Sequence, residues 1–332
     1  DGAGGGWRAG AWHKPGALHP HIGTPHPRSV SVPRLIDPPA GAALDLAEVT
    51  ARLDESGVDL TDEDSIAHCT ELLAGLQRNR NFLADSVAAA LKASYTEQLA
   101  LNLYSAQVFL LHRSARGFYL RANLWPSVRD AVYATSGPAA FAYGLPHDHN
   151  FSFLTVGYFG PGYVSDYYDY DPETVDGRLG ERLDLKFVER SSLTEGKMML
   201  YRAHRDIHSQ LPPESLSVSL NIMDEGEHVP WRDQYIVDLD ADAGKWGTIA
   251  RRPTLTSGEM LLRCAVHLTD NGRDIAEEFA KAHPVPRVRA NAIGALAAIA
   301  ADPVPVLERG SGDIDARVRD DCTRWLMHSQ AC

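Results

Sequence analysis

The stretch Pro146-His147-Asp148-His149-Asn150-Phe151-Ser152-Phe153-Leu154 decides how this 332-residue chain is read. In an extended strand, residues i and i+2 point to one face, so His147 and His149 can offer two imidazoles to one ion from adjacent pleats. A lone His-x-His is more often a pair of surface histidines beside a turn. Weight comes from a second cluster, Gly196-Lys197-Met198-Met199-Leu200-Tyr201-Arg202-Ala203-His204-Arg205-Asp206-Ile207-His208, which reads as a strand, a polar turn and then histidines. After it, Ser215 to Met223 alternates strictly. Leu216, Val218, Leu220 and Ile222 fall on one side, Ser217, Ser219 and Asn221 on the other. That predicts a strand with one face buried.

Outward from these motifs, the segments 104–112, 117–124, 151–159, 182–189, 197–202 and 215–223 are short and strand-like, with Gly, Pro or Asp clusters between several of them. Many short strands without intervening helices predict a closed antiparallel barrel or a sandwich over residues 99–245. Helical periodicity fills 41–98, through Leu44, Leu46, Val49 and Leu53, then Ile66, Cys69, Leu72, Leu73 and Leu76, then Phe82, Leu83, Val87, Ala90 and Leu91. Thr61, ahead of Asp62, Glu63 and Asp64, is the expected N-cap of the second helix. Residues 1–40, rich in Gly and Pro, read as an extended arm; His13, His19, His21 and His26 there lack helical or hairpin spacing for a metal. The segment 255–332 returns to helix. In it Val288-Arg289, Ala292 and Leu296 recur as Val318-Arg319, Cys322 and Leu326, a pattern similar to HEAT repeats. Two copies are too few for a free solenoid, so these helices are expected to dock on the strands.

Composition narrows the function classes. The net charge of -12, with 44 acidic against 32 basic residues, argues against a nucleic-acid backbone binder. No stretch approaches the roughly 20 apolar residues of a membrane helix, and Asp1 to Gly10 has no charged-then-apolar leader pattern. Four irregularly spaced cysteines write neither a disulfide framework nor a zinc site. Cys264, in a helical pattern with Met260, Leu261, Leu262 and Val266, is expected in a core. There is no Gly-x-Gly-x-x-Gly after a strand, no Walker-type loop and no Gly-x-Ser-x-Gly. The expectation is a soluble cytoplasmic protein without nucleic-acid or membrane partners, for which a homo-oligomeric arrangement stays open.

The two histidine clusters resemble the two metal-binding motifs of the cupin superfamily, a His-x-His followed by a later histidine. The glutamate usual in the first motif is absent, since 153 and 154 are Phe and Leu. The resemblance therefore narrows to the three-histidine cupins, among which the thiol dioxygenases are best known. Tyr119-x-Arg121-x-Asn123-Leu124 is similar to the strand that carries their substrate-carboxylate arginine. The resemblance covers about residues 115–225. It implies an antiparallel double-stranded β-helix and leaves both helical ends unexplained; with the N-terminal helices and the C-terminal HEAT-like domain read above, the expected class is α+β. The resemblance also implies Fe(II) on His147, His149 and a third histidine, with Arg121 and Tyr119 holding substrate. His208 is favoured as the third ligand, with His204 supporting the site or substituting. A cysteine–tyrosine cross-link known in that family finds no partners here, where Leu154 and Asn221 to Met223 stand.

The expected activity is that of a mononuclear non-heme iron oxygenase, acting with O2 on a small carboxylate-bearing molecule such as an amino acid. A metal-dependent isomerase or lyase and a non-catalytic scaffold are the alternatives. Arg232, 24 residues past His208, lies too far on for the usual 2-oxoglutarate arginine, so that cosubstrate is not expected. Between the clusters, alternation puts Tyr168 and Tyr170 on one face and Tyr167 with Asp169 on the other, so at most half the tyrosines face a pocket. Asp166 is a minor candidate for a fourth ligand or a cation partner.

Overall fold

The computed structural model describes residues 33–101, 106–226, 229, 232–240, 245–253 and 257–331. The four arm histidines and Cys332 lie outside them. The chain opens with β1 (Arg34–Ile36), α1 (Leu46–Ser56), α2 (Glu63–Arg78), α3 (Phe82–Lys92) and α4 (Thr96–Leu101). Then come β2 (Val108–Ser114), β3 (Phe118–Trp125), α5 (Ala131–Ser136), β4 (Phe153–Phe159), β5 (Val164–Asp169), β6 (Arg182–Asp184), β7 (Lys186–Ser192), β8 (Met198–Tyr201), β9 (Asp206–Leu211), β10 (Ser217–Asp224), β11 (Ile236–Leu239) and β12 (Trp246–Arg251). It closes with α6 (Gly258–Leu268), α7 (Asp270–Ala282), α8 (Pro286–Ile299), α9 (Val304–Gly310) and α10 (Ala316–Ala331). The class is α+β, with antiparallel sheets and helices on either side of them in the chain. No helix among the described residues is long and apolar enough to cross a membrane.

A six-stranded sheet in the order β1-β8-β4-β10-β3-β2 forms the central layer. β1 lies within the segment read as an arm and pairs antiparallel with β8. One face of the sheet, through Leu120, Ala122, Leu154, Val156, Leu200, Leu220 and Ile222, packs under the N-terminal helices. α2 meets it with Ile66, Cys69, Leu72, Leu73 and Leu76, spaced three to four apart so that they share one stripe. The cap of that helix is Asp62, whose side chain accepts from the Ser65 amide at 2.8 Å. Thr61, expected there, instead gives its hydroxyl to Asp59 in the preceding turn.

The other face of the six-stranded sheet is also covered. Tyr119, Trp125, Phe153, Met199, Tyr201 and Met223 share one cluster with Tyr163, Tyr167 and Leu193, which belong to the layer of β7-β5-β9. β10 is therefore buried on both faces: Ser217, Ser219 and Asn221 are buried, as are Val218, Leu220 and Ile222 behind them. The alternation of 215–223 marks two chemically different interiors, not an inside and an outside. Leu216, at the strand's margin, is 45% exposed.

The C-terminal helices pack around two small cores. Leu262, Val266, Ala276, Ala292 and Leu296 make one; Ala290, Ile293, Leu307, Val318 and Cys322 make the other. The recurrent Ala292, Leu296, Val318 and Cys322 are thus core positions, and Arg289 forms a two-pronged ion pair with Asp313. Cys264 is exposed, so it fills neither core. Docking on the sheets runs through charge: Asp233, almost wholly buried, faces Arg287 of α8 at 2.9 Å, Arg317 of α10 at 3.4 Å and Arg252 at 4.0 Å.

Candidate metal centre

The His-x-His segment is placed by its backbone. His147 exchanges both amide hydrogen bonds with His208 of β9, at 3.0 and 2.9 Å, and bridges to Ile236 on its other side. The Val237 amide donates to the Pro146 carbonyl at 2.9 Å, and the Asp148 amide to the Tyr235 carbonyl at 3.2 Å. Residues 146–148 therefore act as a short strand between β9 and β11, joining β7-β5-β9 to the third sheet, β11-β12-β6. An antiparallel hydrogen-bonded pair sets the side chains of His147 and His208 on the same face. His149, two residues on, joins them. The candidate ligand atoms of His147, His149 and His208 all lie within 4.8 Å of one another, and their ring centroids are 4.5 to 5.0 Å apart.

The donor chemistry suits a divalent first-row metal. Burial lowers the pKa of all three imidazoles, and the neighbouring histidines lower His149 and His208 further. They are therefore neutral at physiological pH, the state that carries a lone pair on one ring nitrogen. His147 Nδ1 lies 2.7 Å from the Leu145 carbonyl, to which it donates as an N–H, leaving Nε2 for a metal. His149 is the most open of the three, and its Nδ1 is buried with no partner among the described residues. Gln210 lies alongside, its amide nitrogen 2.8 Å from His208 Nε2.

His204 is elsewhere. It sits in a tight turn with a φ of 57°, and its amide donates to the His149 carbonyl at 2.8 Å. Its ring faces Asp148 at 3.2 Å. Asp148, fully buried on the side away from the three histidines, also accepts from the Tyr235 amide at 2.6 Å and from the Tyr170 hydroxyl at 3.3 Å. Of the two candidates for the third position, the structure brings His208 into the group and sets His204 behind the His-x-His segment.

Arg121 and Tyr119 share the face of β3 that carries Trp125 into the inter-sheet cluster. The Arg121 guanidinium lies 5.8 Å from the Tyr119 ring centroid. From that inward face its charge adds to the burial that disfavours protonated His149 and offsets part of the burial that raises Tyr163. Tyr163 and Tyr167 of the tyrosine-rich stretch point inward, whereas Tyr168 and Tyr170 pack in a separate core. Asp166 faces away from the histidines, paired with Arg190 by two bonds of 2.6 and 2.7 Å.

Sequence reasoning gave no role to Tyr201. Its hydroxyl meets that of Tyr167 at 2.8 Å and that of Tyr163 at 3.4 Å, and its ring lies 4.9 Å from His208. Burial raises all three phenols, Tyr167 to about 12, so they are neutral hydrogen-bonding groups. The signal was present: Met199 and Tyr201 alternate inward on the strand that leads to His208.

No protein-family model matches the chain, and no curated protein matches it. Solved structures with some likeness include protein NMB1881 from Neisseria meningitidis, at 14% identity over 39% of this chain and 94% of that one, with a TM-score of 0.21. Hydroquinone 1,2-dioxygenase from Sphingomonas sp. TTNP3 with 4-hydroxybenzoate bound shares 12% identity over 39% and 71%, with a TM-score of 0.23. DMSP lyase DddQ from Ruegeria pomeroyi DSS-3 shares 12% over 60% and 81%, with a TM-score of 0.22. Scores this low carry nothing about fold or activity, which rest here on the chain's own geometry.

Proposed function

We propose that the chain is a mononuclear non-heme iron oxygenase of the three-histidine cupin kind, its facing sheets forming the cupin barrel. Its substrate is a small carboxylate-bearing molecule, oxidised with O2 and without 2-oxoglutarate. The observation that carries the reading is the convergence of His147, His149 and His208, three neutral imidazoles from two distant segments, with ligand atoms inside 4.8 Å. A scaffold has no need of that arrangement, because clustering three buried imidazoles costs solvation that a bound cation returns more fully than their few hydrogen bonds do. Fe(II) on three histidines would supply redox chemistry and open positions for O2 and substrate.

The chain's own residues supply the rest. Arg121 binds the carboxylate with its planar fork, and Tyr119 beside it offers a hydroxyl. Phe151 and Phe153, each with its ring 4.9 Å from that of His149, limit water around the ligands. The hydroxyls of Tyr163, Tyr201 and Tyr167 hold their protons and bond one another beside the histidines. Asp148 and His204 keep the His-x-His segment in register from behind.

The test is elemental analysis of tag-free protein together with an oxygen-electrode assay of the ferrous form. About one iron per chain is expected, lost in His147→Ala and in His208→Ala, with O2 uptake triggered by a carboxylate substrate. Activity with zinc or nickel alone would move the reading to an isomerase or lyase. Absence of metal, with both variants unchanged in every property, would refute it.

A further inference from the structure

Among the described residues, three buried polar atoms on the inter-sheet faces of the strands have no hydrogen-bond partner: Asn123 Oδ1 on β3, Thr155 Oγ1 on β4 and Gln210 Oε1 on β9. Their residues are 7%, 0% and 7% exposed. Strand alternation puts Asn123 on the face of Tyr119 and Trp125, Thr155 on that of Phe153, and Gln210 on that of His208. Both facing sheets thus carry unsatisfied polar atoms on their inner sides. An unsatisfied buried polar atom destabilises a fold, and Val would fill the Thr155 position without that cost. The neighbours are not left open in the same way: Ser219 accepts from Trp125 Nε1 at 3.0 Å, and the three tyrosine hydroxyls bond one another.

The chemistry of the three atoms describes what completes them. Two are amide oxygens, which only accept; one is a hydroxyl, which donates and accepts. A ligand must therefore bring at least two O–H or N–H donors. An ammonium brings donors together with a charge, and the acid on the inward face of β9, Asp206, is already bound by the amide and guanidinium of Arg202 and so is not available to balance it. We propose that the substrate, beyond the carboxylate assigned above to Arg121, is a chain bearing neutral hydroxyl or amide groups. A thiol or an aromatic ring brings too few donors, and an ammonium brings an unbalanced charge. The carboxylate end rests on the oxygenase reading; the neutral polar end does not.

The test has two arms. Calorimetry on the intact protein under anaerobic conditions compares D-gluconate and adipic acid monoamide with hexanoate, 6-aminohexanoate and phenylacetate. At least tenfold tighter binding of gluconate or the monoamide is expected, and Thr155→Val should cut that preference threefold or more. Thermal melts without ligand form the second arm. The variant should melt at or above the wild-type temperature, since it removes an unsatisfied group. The inference is overturned if the variant melts several degrees lower, if hexanoate or phenylacetate binds as tightly as gluconate, or if nothing in the panel binds. Iron content is read separately: a protein that binds no iron yet prefers gluconate would overturn the oxygenase reading and leave this one standing.

Discussion

Replacing Asp233 by Asn should loosen the C-terminal helices from the sheets and weaken metal binding with them. The carboxylate is 3% exposed and faces three guanidiniums, Arg287 at 2.9 Å, Arg317 at 3.4 Å and Arg252 at 4.0 Å. Truncating one member of a buried ion pair typically costs about 3–5 kcal/mol, because the partner charge stays buried. Each arginine here keeps another acid: Glu259 for Arg287, Asp315 for Arg317 and Asp321 for Arg252. That places the loss at the low end, about 3 kcal/mol, or roughly a 4 °C fall in Tm for a chain of this length. The effect should reach the metal centre because Tyr235, two residues on, holds Asp148 by two bonds of 2.6 and 3.2 Å, and Ile236 bridges to His147. Urea denaturation gives the stability, and competition with a chromogenic chelator gives the metal affinity, which should fall severalfold. Arg317→Ala should move both in the same direction, and the double variant should lose less than the sum, since the two residues share a contact. A variant within 0.5 kcal/mol of wild type, with unaltered metal affinity, would refute the reasoning: the helices would then be held by their apolar contacts, and the strand at 146–148 would need no outside support.

Other outcomes follow from the same geometry. Below pH 6.5 the unfolded chain protonates histidines that the metal-free folded chain refuses, so stability should drop as pH falls. The loss is about 1.4 kcal/mol at pH 5.5 for each fully refused histidine, hence about 3 kcal/mol for His149 and His208, read from urea midpoints at pH 7.5 and 5.5. Arg121→Ala should leave iron content intact and weaken carboxylate binding about a hundredfold, with Arg121→Lys restoring only part of it, because an ammonium lacks the two-pronged fork; unchanged affinity in both would place the anchor elsewhere. His204→Ala should retain iron at reduced affinity whereas His208→Ala loses it, and equal loss in both would contradict the separation of the two side chains.

Features that depend on short-range periodicity are legible in the residues alone. Alternation at 215–223, helical stripes such as Ile66 to Leu76, and His147 with His149 on one face all follow from the fixed repeats of strand and helix. Those repeats cannot say what lies across a face. Ser217, Ser219 and Asn221 carry the pattern of a solvated side, yet a second sheet covers them. Asp166 carries the chemistry of a ligand, yet its side of β5 meets Arg190. Cys264 sits in an apolar helical run, yet the α6 stripe that packs is Leu262 and Val266. The third histidine shows the limit most sharply. His204 and His208 are four residues apart in a polar turn, and nothing local separates them. Only the pairing of β9 with β5 and with residue 147 turns His208 inward, while the positive φ of His204 directs its ring to Asp148 behind the segment. Register between distant strands is set by the whole sheet's burial, and that sum exists only in the folded chain.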